Sequence, residues 1–427
     1  LNVDLIIATS IFVIFISFIF IHILGYQSKE LSRQSLVELK REAKKLANEI
    51  ISQGNPPNWH KENVIPSKIG LSSSAFLIPI LISDNSGYER INEPITQEIV
   101  FDEDCRNFAW NGTVRIFDEN FNEVPFRFVN QTFCPSGYLQ KAILFFEVNV
   151  SANSSRKLHI FFYNSTQVNL KDYGNFSSLI MWLTFDEGSG NIVYDYSGNK
   201  NNGTMYSGTI VCDETDTCPL WVSGIFGKAL SFDGVDDWIE ILNSDLLNPS
   251  LITVSLWVNV KSFSNSILLS KDYSSYQISM DSNGYVQFYI NETYINSSFP
   301  LNISTWQNVV GRFNGSSIDI FINAVKVGSK FYSLSIPSNS LNLSIGSWQL
   351  TSFFNGTIDD VRVYNKALTD EEILSHFQQP LSIKLFPKME VSLISFEKLE
   401  ALRNIRYDLI KDVLQKGYNF RIEIYEK

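Results

Sequence analysis

The sequence is poor in the residues from which reactive and metal-bearing sites are usually built. Among 427 residues there are only four cysteines, four histidines and four methionines. His22, His60, His159 and His376 are scattered, and no Cys-x-x-Cys spacing occurs, which argues against zinc. Basic residues are outnumbered 34 to 45, for a net charge of -11. No Lys/Arg run is interleaved with aromatics, so nucleic acid is excluded as a partner. A Gly-rich phosphate loop, a Ser-His-Asp set and a metalloprotease motif are all missing. Also missing is a strand motif of the Glu-x-Asp-x-x-Glu kind, which would supply the two carboxylates, about 5 Å apart, of a retaining glycosidase. The nearest stretch, DDWIEI at 236–241, has no such pairing. The expectation is a protein that is not an enzyme. With 19% charged and 14% aromatic residues, the composition suits a β-rich, weakly charged exterior of the kind exposed on cell surfaces.

What is present points to the same compartment. Cys105, Cys134, Cys212 and Cys218 form two local pairs. Proximity suggests Cys105–Cys134 and Cys212–Cys218 disulfides, although four cysteines allow three connectivities. Asn-x-Ser/Thr occurs at Asn111, Asn130, Asn149, Asn153, Asn164, Asn175, Asn202, Asn291, Asn296, Asn302, Asn314, Asn342 and Asn355, and neither in the first hundred residues nor after 357. That confinement suggests a glycan-decorated exterior; the plainer reading is that these are turn residues.

The chain begins at Leu1, with no methionine. Leu5 to Leu24 is an apolar span of the ~20 residues needed to cross ~30 Å of hydrocarbon. Asp4 is the one carboxylate before it. The basic start and small-residue cleavage site of a signal peptide are not visible. SKELSRQSLVELKREAKKLANEII continues with apolar residues at steps of three and four, and GNPPNW at 54–59 stops the pattern. The expectation is one long helix over 1–53, apolar and then amphipathic. Asp4 of one subunit would meet the α-amino group of Leu1 of the next.

The stretch NVDLIIATSIFVIF, following a cut placed before the apolar span, resembles archaeal type IV pilins, with Asp at the fourth position where glutamate at the fifth is more familiar. GNPPNWHKENVIPSKIGL at 54–71 is similar to the connector of small pilin-like proteins. ISFEKLEALRNIRYDLIKDVLQKGYNFRIEI at 394–424 is similar to the helix and strand that follow it there. The resemblance implies a connector or base over 54–73, a C-terminal helix–strand segment over 385–427 returning to it, and β modules inserted between. Identical or related pilin subunits would be the partners, with the chain held in the membrane before assembly.

Residues 74–168 read as a β-sandwich module. FLIPILIS, EPITQEIVF, GTVRIFD, EVPFRFV, KAILFFEVNV and KLHIFFYN are short and β-branched or aromatic, with turn signals between them. Residues 179–377 carry MWLTFDEGSGNIVYDYSGNKNNGT, GIFGKALSFDGVDDWIEI, LITVSLWVNV and GTIDDVRVYNKALTDEEI in order. These four motifs resemble a laminin G-type, concanavalin A-like jelly roll. In LITVSLWVNV, Ile252, Val254, Leu256, Val258 and Val260 share one face, as a sandwich strand requires. Where the family has Asn-Gly in one hairpin, this chain has Asn323-Ala324, so an altered turn is expected. VCDETDTCPL reads as a small closed loop. The resemblance implies one structural Ca²⁺ as the only cofactor, with Asp195, Asn199, Asp359 and Asp360 at the matching acidic positions. Sugar binding would need exposed aromatics, for which Trp221, Trp238, Trp306 and Trp348 are candidates, although tryptophan in a jelly roll is more often core.

The combined expectation is an α+β multidomain chain: a long N-terminal pilin-type helix, mainly antiparallel β-sandwich modules, and a C-terminal helix and strand. Functionally it would be a subunit of an extracellular pilus-like filament displaying a lectin-like domain for adhesion, with a glycan or surface ligand. The alternative is a single-pass, membrane-anchored lectin-like protein that does not polymerise.

Overall fold

The computed structural model describes residues 72–394, apart from 121, 167, 175, 214–217 and 379. Within them the architecture is antiparallel β nearly throughout, and Asp370–Phe377, here α1, is the only α-helix. The α+β expectation is corrected accordingly. The period-2 pattern of the inserted modules dominates, with every strand pair of both sandwiches antiparallel. The expected N-terminal helix, with Leu1 and Asp4, and the expected helix–strand beyond residue 394 lie outside the described residues. Among the described residues no helix is long and apolar enough to cross a membrane.

The first sandwich is built on Ser72–Ser83. This strand pairs with Ser155–Phe162 on one side and with Ser382–Leu385 and Met389–Ile394 on the other. Arg115–Asp118 and Glu123–Val124 extend that sheet. Arg90–Val100, Leu139–Val150 and Phe126–Phe133 form the facing sheet. Alternate residues Phe76, Ile78, Ile80 and Ile82 point into a core with Ile95, Ile99, Leu144, Phe146, Leu158 and Ile160. Pro79 sits mid-strand without breaking it. It faces the gap between the two C-terminal strands, where no N–H is asked of it, and its carbonyl accepts from the Phe386 N–H at 3.0 Å. The chain that leaves the jelly roll therefore comes back to the first sandwich, and the jelly roll is inserted between two strands of one sheet.

The second sandwich packs a nine-stranded sheet against an eight-stranded one around a single large core. Ile252, Val254, Leu256, Val258 and Val260 of Ile252–Val260 all lie in that core, as their spacing predicts. The opposite face of the same strand is also covered, with Thr253 and Trp257 buried, because Phe377 of α1 stacks on Trp257 and the segment before α1 bonds Thr253. Close approach of the two sheets depends on Gly311. A methyl group there would come within 2.6 Å of the Phe288 ring, which fills the space instead.

The two sandwiches meet through α1. Thr369 and Glu372 form a reciprocal capping box at its start. Asn92 Nδ2 donates to Glu372 at 3.1 Å, and Arg90 donates to the Ser375 carbonyl at 2.9 Å while also bonding Asp84. Phe145 of the first sandwich packs with Leu179, Trp182, Phe321, Tyr364, Leu368 and Ile373 of the second.

Both expected disulfides are present, Cys105–Cys134 and Cys212–Cys218, with Cα separations of 5.6 and 5.7 Å. They mark this as a protein of an oxidising, extracytoplasmic setting.

Candidate functional site

The outward face of the nine-stranded sheet gathers the polar and aromatic groups of the jelly roll. Register defines it. Along Asp237–Ile241, Ile239 and Ile241 point into the core, so Trp238 and Glu240 point out. Glu240 lies opposite Ser344, Ser344 opposite Ser270, Ser270 opposite Gln277, Gln277 opposite Tyr289, and Tyr289 opposite Tyr294. One row thus crosses six strands. The side chains at its centre are buried: Ser270 Oγ donates to Gln277 at 2.9 Å and Ser344 Oγ to the Ser347 carbonyl at 2.6 Å. At each end stands a pair of stacked rings. Tyr206 and Trp238 lie 4.8 Å apart with planes 23° from parallel; Tyr289 and Tyr294 lie 4.7 Å apart at 24°. Four strand steps separate the strands that carry Trp238 and Tyr289, or ~19 Å at ~4.8 Å per step, the length of about four sugar rings.

Hydrogen bonds fix the rings at the two ends of this row. Trp238 Nε1 donates to the Gly208 carbonyl at 2.7 Å, and Tyr206 Oη donates to Glu240 at 3.3 Å. Tyr289 Oη donates to Gln287 at 3.3 Å. Burial and the Glu240 carboxylate hold the Tyr206 phenol above its usual range; burial and Tyr294 do the same for Tyr289. Both stay neutral hydroxyls that donate and accept. Glu240 is the one carboxylate in the row.

The residues expected to hold calcium are spread over separate contacts. Asp195 accepts from the backbone N–H groups of Trp182, Ser197 and Asn201, each at 2.9 Å. Asn199 accepts from Arg127 at 2.9 Å and donates to the Leu179 and Ile180 carbonyls. Asp360 is paired with Arg362 at 3.0 Å and takes the Trp182 indole N–H. Asp359 differs. Its Oδ2 accepts from Ile225 and Phe226, but its buried Oδ1 has no partner, and burial pushes its carboxyl up to about 8. The four do not make one coordination sphere. Among the described residues the only trio of ligating side chains within 4.8 Å is Asp233, Asp236 and Asp237. In this structure the carboxylates of the expected calcium set mostly serve loop backbone and an arginine.

The sequons fall on varied surfaces. Asn130, Asn149, Asn153, Asn164, Asn202, Asn296, Asn302, Asn314 and Asn342 are exposed; Asn111, Asn291 and Asn355 are half-buried; Asn175 lies outside the described residues. Of the four tryptophans singled out from sequence, Trp238 lies at one end of the row. Trp221 packs against the core, and Trp348 stands edge-on to Tyr273 at 5.8 Å. Trp306 pairs across to Asn259 in the other sheet. Sequence reasoning did not single out Tyr206, Glu240, Gln277, Gln287, Tyr289 or Tyr294. The only available signal was alternation, as in YVQFYI, where Gln287 and Tyr289 share the face opposite the buried Val286, Phe288 and Ile290.

Residues 233–374 match the family described as the concanavalin A-like lectin/glucanases superfamily, laminin G type. The jelly roll is laminin G-like. Among solved structures, the chain is similar to domain 4 of AbnA, an extracellular arabinanase of Geobacillus stearothermophilus, solved with arabinotriose. Identity is 20%, coverage is 47% of this chain and 99% of that one, and the TM-score is 0.40. The binding domain of Paraclostridial Mosquitocidal Protein 1 follows at 17% identity, 47% and 52% coverage and a TM-score of 0.39. A Trypanosoma rangeli sialidase matches at 11% identity, 55% and 42% coverage and a TM-score of 0.37. At these scores the likenesses carry no inference about ligand or activity. No curated protein matches the sequence.

Proposed function

We propose that the laminin G-like domain is a non-catalytic carbohydrate-recognition module, and that the trough between Tyr206–Trp238 and Tyr289–Tyr294 takes a neutral, extended oligosaccharide of about four residues. The row of register partners from Glu240 to Tyr294 carries this reading. Aromatic rings with polar tips at each end of the row suit the apolar faces and equatorial hydroxyls of sugars. Titration with β-1,4-linked gluco-, xylo- and manno-hexasaccharides, followed by tryptophan fluorescence and calorimetry, tests it. At least one should bind, and Trp238→Ala and Tyr289→Ala should each weaken that binding about tenfold, a loss of ~1.4 kcal/mol. Failure of every neutral oligosaccharide to bind, or release of shortened products, overturns it.

The finer reading places this domain on a type IV pilus-like filament at the cell surface, with a single-pass tethered protein as the alternative. Its support is the sequence alone: the carboxylate Asp4 and the apolar residues that follow it. Sheared extracellular fibres whose protein begins with a free Leu1 would favour the filament. Recovery solely in the membrane fraction would favour the tether.

A further inference from the structure

One sequon stands on the sugar-facing surface itself. Asn296 lies in the edge strand Thr293–Pro300, opposite Gln287 and two residues from Tyr294. Gln287 Nε2 donates to Asn296 Oδ1 at 3.2 Å, so the carboxamide is oriented by its oxygen while its nitrogen remains open to solvent. Ser298, the hydroxyl of the sequon, is exposed like Asn296, in the stretch where the register with the neighbouring strand shifts. Ser297 between them is buried, its hydroxyl donating to the Phe299 carbonyl at 2.7 Å and accepting from Val286 N–H. The middle residue thus anchors the strand between two exposed positions. Asn342, the sequon at the other end of the trough, is the opposite case. Its nitrogen donates to Glu240 at 2.8 Å and its oxygen accepts from the Asn243 N–H at 3.0 Å.

We infer that Asn296 carries an N-linked glycan whose first sugars lie over Gln287, Tyr289 and Tyr294, so that the trough is roofed in cis and its affinity for other glycans is set by this modification. The inference rests on the trough being a sugar-binding face. In the attachment step the donor is a polyprenyl (di)phosphate-linked oligosaccharide. The Asn296 nitrogen forms a C–N bond to the anomeric carbon, the C–O bond to the phosphate breaks, the lipid (di)phosphate departs with the electron pair, and the nitrogen gives up one proton. Attachment at an edge strand needs no rearrangement of the sheet. A flexible chain tethered a few ångströms from its own binding rings has a high effective concentration there, on the order of millimolar, which outcompetes weak ligands in solution.

The test uses the full chain purified from its own producing cells, compared with Ser298→Ala. That variant removes the sequon and leaves Asn296, Gln287 and the rings in place. Peptide mass spectrometry should find hexose-bearing Asn296 and bare Asn342. The Ser298→Ala protein should bind the neutral hexasaccharides about tenfold more tightly than the modified protein. A second readout does not depend on those ligands. Periodate should oxidise the Asn296 glycan more slowly than a glycan on exposed Asn164, and Tyr294→Ala should abolish the difference. Unmodified Asn296 overturns the inference, as does a modified Asn296 with equal affinity in both proteins or with equal oxidation rates. If no hexasaccharide binds either protein but the Asn296 glycan is protected until Tyr294 is removed, the cis contact stands, and it is the reading of the trough as a site for external polysaccharide that fails.

Discussion

At the scale of single residues, Ala324 records how tertiary packing overrides local preference. Asn323 and Ala324 form the two-residue turn between Ser317–Ile322 and Val325–Phe331, with φ of 51° and 61°. The left-handed conformation that glycine would adopt freely is here forced on a residue with a Cβ. The turn foreseen as altered keeps its form, and Ala324 also packs beside Phe321 and Leu368. Ala324→Gly should raise stability by about 0.5–1 kcal/mol, because relief of backbone strain outweighs the packing of one half-buried methyl group. A shift of the urea midpoint with unchanged slope would show it, and a lower midpoint would show that the methyl group's packing dominates. The expected metal residues teach a related lesson. Asp195 and Asp359 were legible as important carboxylates because they stand in motifs. Which oxygen each spends on backbone N–H, and which it leaves bare, depends on loops brought from 182, 201 and 225.

At the scale of elements, α1 is the piece on which the two sandwiches turn. Thr-x-x-Glu ahead of an apolar run was readable in ALTDEEI, and the capping box forms as that pattern dictates. What could not be read was its second use. Glu372 also accepts from Lys366 at 2.6 Å and from Asn92 of the other sandwich. Thr369→Ala should therefore cost about 1 kcal/mol from the cap, with the loss concentrated at the junction. Hydrogen exchange should speed up in both α1 and Arg90–Val100; faster exchange confined to α1 would separate the cap from the docking. The disulfides behave more independently. Removing Cys105–Cys134, which closes a sequence separation of 29, should cost about 3 kcal/mol, and removing Cys212–Cys218, with a separation of 6, should cost less. Calorimetry of the two double-serine variants ranks them.

At the scale of the whole molecule, buried carboxyls set the response to pH. Burial pushes Glu93 and Asp237 up to about 7 and Asp359 up to about 8. A carboxyl whose folded value lies above its unfolded one binds more protons when folded, so its contribution falls as pH rises between the two values. His376 runs the other way, held down to about 3 mainly by burial. It favours folding increasingly as pH rises from 3 to about 6.5 and adds nothing beyond. Three carboxyls outweigh one imidazole, so from these four groups stability should fall from about pH 4.5 to pH 8, with at most about 2 kcal/mol from Asp359 alone between pH 6.5 and 8. Asp359→Asn should flatten the decline in urea titrations at pH 6.5, 7.25 and 8. An equally steep decline in the variant would assign it elsewhere.

The sequence by itself determined the strands, the faces they bury and the module that holds them. Alternation of apolar and polar residues is a local property, and each strand reads it alone. The local cysteine pairs and the capping box were equally local. Only the tertiary structure decided where the jelly roll is inserted, which carboxylates remain unsatisfied and which aromatics face one another across the sheet. Those depend on strand order: Trp238 and Tyr289 lie 51 positions apart in sequence but only four strand steps apart in the sheet. Ser270, Gln277 and Ser344 acquire a common face only when the ladder that joins them has formed.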